Sequence, residues 1–415
     1  MFYLIVAILR ILVQSGNQSA FAANWKLANY LERPVPSEAG IVDPDSFLTY
    51  LKCSHMESDE GELVIAIPKA IQDAISATPE NEKMHLSIRI DYELVNPMAG
   101  AHFLLPSETT YPNRSPHMYT NNLCGARCWM PCLDTSMGHD RCRWLIEIEA
   151  PSDYAVIASG TLLNQTKDAQ RRNANQEILS SLSGVNLSST SDSHIKLHSF
   201  LVETPVLPSS IGFVVGKLDV ISDGMLPGKL SYYCLPGRSS LVMNTVGFMA
   251  PSVTAFEELL HSQIPAKHLK LVFVDEAPTK ISAYAGLLIC STHLLHKADI
   301  IDQVYSTRKA LSIGLAQQWF PTYVSAAFPQ DEWIVSGLVG YLAYLNYQKM
   351  FGYSEFVSAI TSDLQYLLKG TRNWTARAKM PPSDITHDSN GLHQNAQYCY
   401  DQIKHKNDFQ YSQII

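Results

Sequence analysis

His293 and His296, in the run His-Leu-Leu-His, stand one helical turn apart. That spacing lets two imidazoles approach one divalent metal ion from a single helix face. No nearby carboxylate or third histidine completes a ligand set, so the competing reading is two polar-edge histidines. Cys124, Cys128, Cys132 and Cys142 crowd into one stretch with His139 among them. Thiolates and an imidazole are zinc donors, yet the stretch lacks the Cys-x-x-Cys pairs of structural zinc sites. Buried thiols in a reducing compartment are the alternative there. Ser336 would need a base to act as a nucleophile, and neither a base nor a Gly-x-Ser-x-Gly frame surrounds it. Arg141, Arg143, Arg171 and Arg172 are the best sequence candidates for phosphate contact, against ordinary solvated charges on a strand edge and a loop. Trp319 and Phe320 read as core anchors beside Leu315 rather than as a base-stacking platform. His-Glu-x-x-His, the helical zinc-hydrolase motif, occurs nowhere in the chain.

The elements that must carry these residues change character along the chain. Between 45 and 221, two-residue alternation recurs at 62–68, 86–94, 144–150, 154–159, 195–203 and 211–220. Pro, Gly, Asn and Asp separate these runs, which predicts a mainly β region with antiparallel sheets. Residues 167–193, rich in Ser, Asn, Gln and Arg, read as a solvated insertion between two strands. After residue 235 the period lengthens. A helix is expected over 240–261, short apolar strands over 269–274 and 287–291, and amphipathic helices over 300–320, 331–351 and 353–369. The two halves join near 222–236, and the polar tail from 370 is expected to be loop or disordered.

The chain has 415 residues, 46% hydrophobic and 17% charged, which allows about two or three domains and a large core. Disorder along the whole length is excluded. With 31 basic and 39 acidic residues the net charge is -8. Nucleic-acid binding by bulk electrostatics is therefore disfavoured as the chain's sole business, and any DNA contact must come from a local patch.

Met1 to Val13 is apolar and mimics a signal peptide, although it lacks a basic start and Arg10 interrupts it. As a helix it would span about 20 Å, short of the ~30 Å of a bilayer core. A signal, a core strand and an atypical start all remain open. Asn17, Asn113, Asn164, Asn186 and Asn373 head Asn-x-Ser/Thr triplets, a pattern that chance often produces.

The order of three segments carries a resemblance. Ala126-Arg127-Cys128-Trp129-Met130-Pro131-Cys132-Leu133-Asp134 resembles a segment in the β-domain of zinc aminopeptidases of the aminopeptidase N type. Leu315 to Phe320 is similar to the second half of that family's zinc-binding helix, and Asp331 to Gly337 to the helix that supplies the third ligand. The match covers roughly 45 to 365. It implies an α+β multidomain fold, with an aminopeptidase N-like β-rich domain at 45–221 and a thermolysin-like α/β domain at 222–369. An atypical segment precedes them at 1–44, and the polar tail at 370–415 follows.

The same resemblance places Ile313 and Gln317 where the family has its two ligand histidines. Gly314 takes the place of the general-base glutamate and Ser336 that of the ligand carboxylate. Lys280 to Tyr284 takes the place of the substrate-anchoring Gly-Ala-Met-Glu-Asn segment, with Ala283 for its glutamate. Zinc is what lowers the pKa of its bound water to about 7 and so creates the nucleophile. Ile, Gln and Ser cannot replace two imidazoles and a carboxylate, so no catalytic residue, metal or cofactor is expected.

Val272-Phe273-Val274-Asp275-Glu276, Ala283-Tyr284-Ala285, Cys290 to His296, Ile300-Ile301-Asp302 and Ala316-Gln317-Gln318 are similar to the inactive branch, the TFIID subunit 2 family of aminopeptidase-like TBP-associated factors. That resemblance implies a nuclear, non-catalytic TFIID subunit supporting core-promoter recognition around the initiator and assembly of the RNA polymerase II preinitiation complex. The implied partners are TBP, the other TBP-associated factors, core-promoter DNA in the assembled complex, and chromatin, with no membrane. The family continues into a long helical region, so the chain is expected to be a fragment or an incomplete gene model. An inactive or redeployed secreted member of the aminopeptidase family is the alternative.

Overall fold

The computed structural model describes residues 6–15, 19–27, 63–77, 85–94, 97, 100–107, 111–122, 125–133, 141–166, 195–327 and 331–378. The insertion expected at 167–193 and the tail beyond Ala378 lie outside these residues. The chain divides into two compact units. Among the described residues, one lies within 4–96 and the other within 97–378.

In the smaller unit the apolar start forms strand β1 (Val6–Ser15), antiparallel to β2 (Phe21–Ala22) and β5 (Leu86–Leu94). Strict alternation would put Ile8 and Ile11 on opposite faces. The register slips between Ile8 and Arg10, so both are buried while Leu9 is turned out, 64% exposed. Arg10, the break in the apolar run, is opposite Asp91 of β5 and pairs with its carboxylate at 3.4 Å. Strands β3 (Asn24–Leu27) and β4 (Leu63–Ala66) form a second ladder. Helix α1 (Lys69–Ala77) buries Ile71 against Ile8, Ile11 and Val13.

In the larger unit a four-stranded antiparallel sheet has the order β6 (Ala101–Leu104), β7 (His117–Thr120), β12 (Phe213–Gly216), β9 (Ala155–Ala158). A three-stranded one has the order β10 (Thr161–Thr166), β11 (Ile195–Val206), β8 (Cys142–Pro151). The third sheet is mixed. Its order is β13 (Asp219–Ser222), β14 (Leu230–Cys234), β15 (Leu269–Val274), β17 (Leu287–Ser291), β16 (Ile281–Tyr284), and β14, β15 and β17 run parallel.

All of β15 is buried because both of its faces are covered. Leu269, Leu271 and Phe273 pack toward the helices, with Val246, Phe256, Leu311 and Leu315. Val272 and Val274 pack with Tyr119, Ile157 and Val214 of the β-sheet side.

Two runs read as single elements are each split. Residues 211–220 change sheet after Gly216, where β12 ends and β13 begins the mixed sheet; the alternation hides this because both are strands. The stretch 222–236, expected as a junction, holds β14 of that sheet, hairpinned to β13. Residues 240–261 form α2 (Ser239–Val246) and α3 (Met249–Leu260). Pro251 explains the break, since a proline is tolerated in the first turn of a new helix but not inside a continuous one. Helices α4 (Ile301–Ala316), α5 (Glu332–Phe351) and α6 (Tyr353–Ala378) follow, but α4 stops four residues short of the expected 320, where the chain turns ahead of Pro321, and α6 continues past 369. Gly352, at φ 87°, makes the turn between the last two.

Candidate functional site

The positions to which resemblance assigns zinc chemistry fall on three neighbouring elements. Ile313 and Gln317 lie one turn apart at the end of α4, with Gly314 buried beside them, and Ser336 lies near the start of α5. Helix α4 packs on both α5 and β16, which carries Ala283. Ile313 is half-buried against the helix-side core, so at that position an aliphatic side chain packs where an imidazole would have to reach a metal.

The polar chemistry at this place is structural. Gln318 is fully buried; its Oε1 accepts from the Gly286 amide at 3.0 Å, and its Nε2 donates to the Tyr284 carbonyl at 3.0 Å. The β16–β17 turn is thereby clamped to the end of α4. Asn346 of α5 donates through Nδ2 to Ser312 Oγ of α4 at 2.8 Å and to Ser252 Oγ of α3 at 3.0 Å, all three being buried. Trp319 packs edge-to-face on Phe256, with ring centroids 6.1 Å apart, as a core anchor should. Phe320 is half-buried against the same cluster.

His293 and His296 do not share a helix face. A short 3-10 turn, Thr292–Leu294, ends between them; His293 is exposed, and His296 is buried with Nδ1 against the Leu294 carbonyl at 3.2 Å. Cys128 is buried in the turn Ala126–Cys128, Cys132 is half-buried, and Cys142 is exposed at the start of β8. Cys124 and His139 lie outside the described residues. Among the described residues no three His, Cys, Asp or Glu side chains form a group that could hold a metal ion.

The Ala126 to Leu133 segment acts as a bracket. Trp129 Nε1 donates to Asn122 Oδ1 at 2.7 Å, and Asn122 Nδ2 donates to the carbonyls of Ser209 and Ile211 at 2.8 and 3.0 Å. Arg141 turns inward, with Nη1 on the Tyr323 carbonyl at 2.7 Å and Nη2 on Ser325 Oγ at 2.6 Å. Its guanidinium is thus engaged by the chain itself. Arg143 is exposed on the outward face of β8, and Arg171 and Arg172 lie outside the described residues.

Sequence reasoning missed Lys270, set in the apolar run of β15. It is buried over the Phe200 ring, and its ammonium donates to the carbonyls of Ala158, at 2.6 Å, and Gly160. Burial pushes its pKa down to about 7. The signal available was a lone charge inside a strand with no polar alternation. Among the described residues no helix is long and apolar enough to cross a membrane.

No family model matches the chain. Curated relatives do. The chain is similar to Transcription initiation factor TFIID subunit 2 of Drosophila melanogaster, with 31% identity over 328 residues, 78% of this chain and 24% of that protein. It is similar to the protein of the same name from Gallus gallus at 27% over 345 residues, 82% of this chain and 26% of that protein. The Schizosaccharomyces pombe protein of that name is 26% identical over 340 residues, 71% of this chain and 29% of that protein. The resemblance to TFIID subunit 2 thus covers most of this chain, while the chain spans about a quarter of the length of the curated relatives it matches.

Proposed function

We propose that this chain serves as a non-catalytic subunit of the general transcription factor TFIID. In that role it supports core-promoter recognition at the initiator and assembly of the RNA polymerase II preinitiation complex in the nucleus. The observation that carries the reading is the 31% identity to TFIID subunit 2 of Drosophila melanogaster along 78% of the chain. On this reading the fold is an aminopeptidase N-like β-rich domain at 45–221 followed by a thermolysin-like domain at 222–369 that has given up its zinc site. Ile313, Gly314, Gln317, Ser336 and Ala283 support that, because none can bind zinc, supply a base or anchor a substrate amine. TBP and the other TBP-associated factors are its partners, and it meets core-promoter DNA and chromatin only within the assembly.

Affinity purification of the tagged full chain from nuclear extract tests this. TBP and its associated factors should co-purify in near-equal amounts with the tagged chain. A tagged chain found in secretory vesicles, with none of these proteins attached, would overturn it.

A further inference from the structure

We propose that the space a general-base carboxylate would need is closed from within by a steric plug, Ile281 of β16 seated on Gly314 of α4, so that restoring a glutamate at 314 cannot return a base to this place unless Ile281 is also cut back. The inference rests on the reading of the chain as a degenerate aminopeptidase-like scaffold.

Gly314 is buried in the last turns of α4. A Cβ at this position would stand 2.8 Å from Ile281 Cγ2, 3.3 Å from Ile281 Cδ1 and 3.5 Å from Leu288 Cδ1. The first separation is closer than real Cβ atoms approach, so something must shift. Ile281 is poorly placed to yield. Its Cγ2 is bonded directly to Cβ, and a β-branched side chain has few χ1 alternatives. The strand beneath it is fixed on β17, with Ile281 opposite Cys290 and the Lys280 carbonyl accepting from the Ser291 amide at 2.9 Å. Nor can α4 retreat easily: Leu311, Leu315 and Ala316 are buried in the helix-side core, and Gln318 ties the helix end to Tyr284 and Gly286. A glutamate needs this Cβ and four further heavy atoms. The segment aligned with Lys280 to Tyr284 carries Ala at the second position in the enzymes, where this chain has Ile281. Loss of bulk at 314 and gain of bulk at 281 are complementary in volume, which is how a vacated site becomes packed core.

Thermal unfolding of the full chain carrying I281A, G314A or both provides the test. Glycine to alanine inside a helix ordinarily stabilises. Here G314A should instead lower Tm by about 2–4 °C, whereas adding G314A to I281A should cost little or raise Tm. A rise in Tm on G314A that is the same with and without I281A overturns the plug. Thermal unfolding of the chain carrying G314E, with and without I281A, gives a second readout. With Ile281 retained G314E should lower Tm more than it does beside I281A, and an equal loss in both backgrounds overturns the proposal. Zinc in the unaltered chain would instead sink the degenerate-scaffold reading and leave the 281–314 coupling as measured.

Discussion

Gln318 Oε1 accepts the Gly286 amide at 3.0 Å, in a place where neither group reaches water. Its Nε2 donates to the Tyr284 carbonyl, so one side chain satisfies both ends of the β16–β17 turn. In the resembling enzymes this helix end exists to hold a metal; here it holds backbone. Gln318→Leu keeps the volume but leaves a buried N–H and C=O with one partner fewer, and should cost about 2–4 kcal/mol. Gln318→Glu keeps the acceptor for Gly286 but turns a carboxylate on the Tyr284 carbonyl. Its carboxyl is favoured protonated in the folded state, so its deficit should shrink as pH falls toward 4 and grow above it. Urea melts of both variants at pH 4.5 and 7.5 check this, and a pH-independent deficit in the Glu variant would count against the clamp.

Asn346 joins three helices through two buried hydroxyls. Asn346→Leu should destabilise by about 1–3 kcal/mol, because Ser252 and Ser312 lose their shared donor. Adding Ser252→Ala and Ser312→Ala should recover part of that loss, since removing all the polar partners costs less than stranding some. Stability that falls with each added substitution would show that the hydroxyls have other roles.

How far such residues are legible from sequence depends on whether their signal is periodic. Residues 86–94 and 269–274 alternate or run apolar, and they form β5 and β15 at those bounds. Gln318 and Asn346 leave no such trace, because a buried amide in a helix reads like a surface one until its partners are known. Nor does alternation reveal a change of sheet, which is why residues 211–220 read as one strand. Arg10 read as an interruption of an apolar run, and only the pairing with Asp91 of β5 accounts for it. The likeness of Leu315 to Phe320 and of Asp331 to Gly337 to known helices located the candidate site; α4 ends at Ala316, so most of the first segment is the turn that follows it, while α5 carries the second from Glu332. Nothing periodic marks the surface that a partner protein or DNA would touch.

Lys270 gives the fold a pH dependence of defined sign. Its pKa is pushed down by burial from 10.5 to about 7. Between these values the unfolded chain holds the proton and the folded chain does not, so this residue's contribution to stability rises with pH from about 7 to 10. Below 7 both states are protonated and the dependence flattens. The neutral amine still has two N–H bonds for the Ala158 and Gly160 carbonyls. Unfolding free energies of the natural chain and Lys270→Met, measured from pH 6 to 9.5, isolate the effect in their difference. That difference should shift toward the lysine form as pH rises, and a flat profile would contradict it.

Purified chain should carry no stoichiometric zinc and release no amino acid from peptides. Ile313, Gln317 and Ser336 offer no imidazole or carboxylate at the ligand positions, and Gly314 offers no base. Metal analysis after purification without chelators, together with an aminopeptidase assay in added zinc, checks both. One zinc per chain that disappears with Gln317→Ala would reverse the conclusion.

The last expectation concerns DNA. At net charge -8 the chain repels a duplex overall, so binding must come from local cations. Of the arginines that drew attention in the sequence, Arg141 is committed to Tyr323 and Ser325, while Arg143 is exposed on β8, whose Glu147 and Glu149 further along face the same way. Each phosphate neutralised contributes about -0.9 to the slope of log K against log salt, so one or two contacts give weak binding with a shallow slope. Promoter contact is compatible with this only if partner subunits hold the chain against the duplex. Tethering can raise its effective concentration to about the millimolar range without any new contact. Fluorescence anisotropy with an initiator-containing duplex at physiological salt should therefore show little binding by the isolated chain. Adding it to an assembly that already holds promoter DNA should give protection around the initiator. Nanomolar, sequence-selective binding by the isolated chain would mean that it carries a base-reading surface of its own and needs no tether.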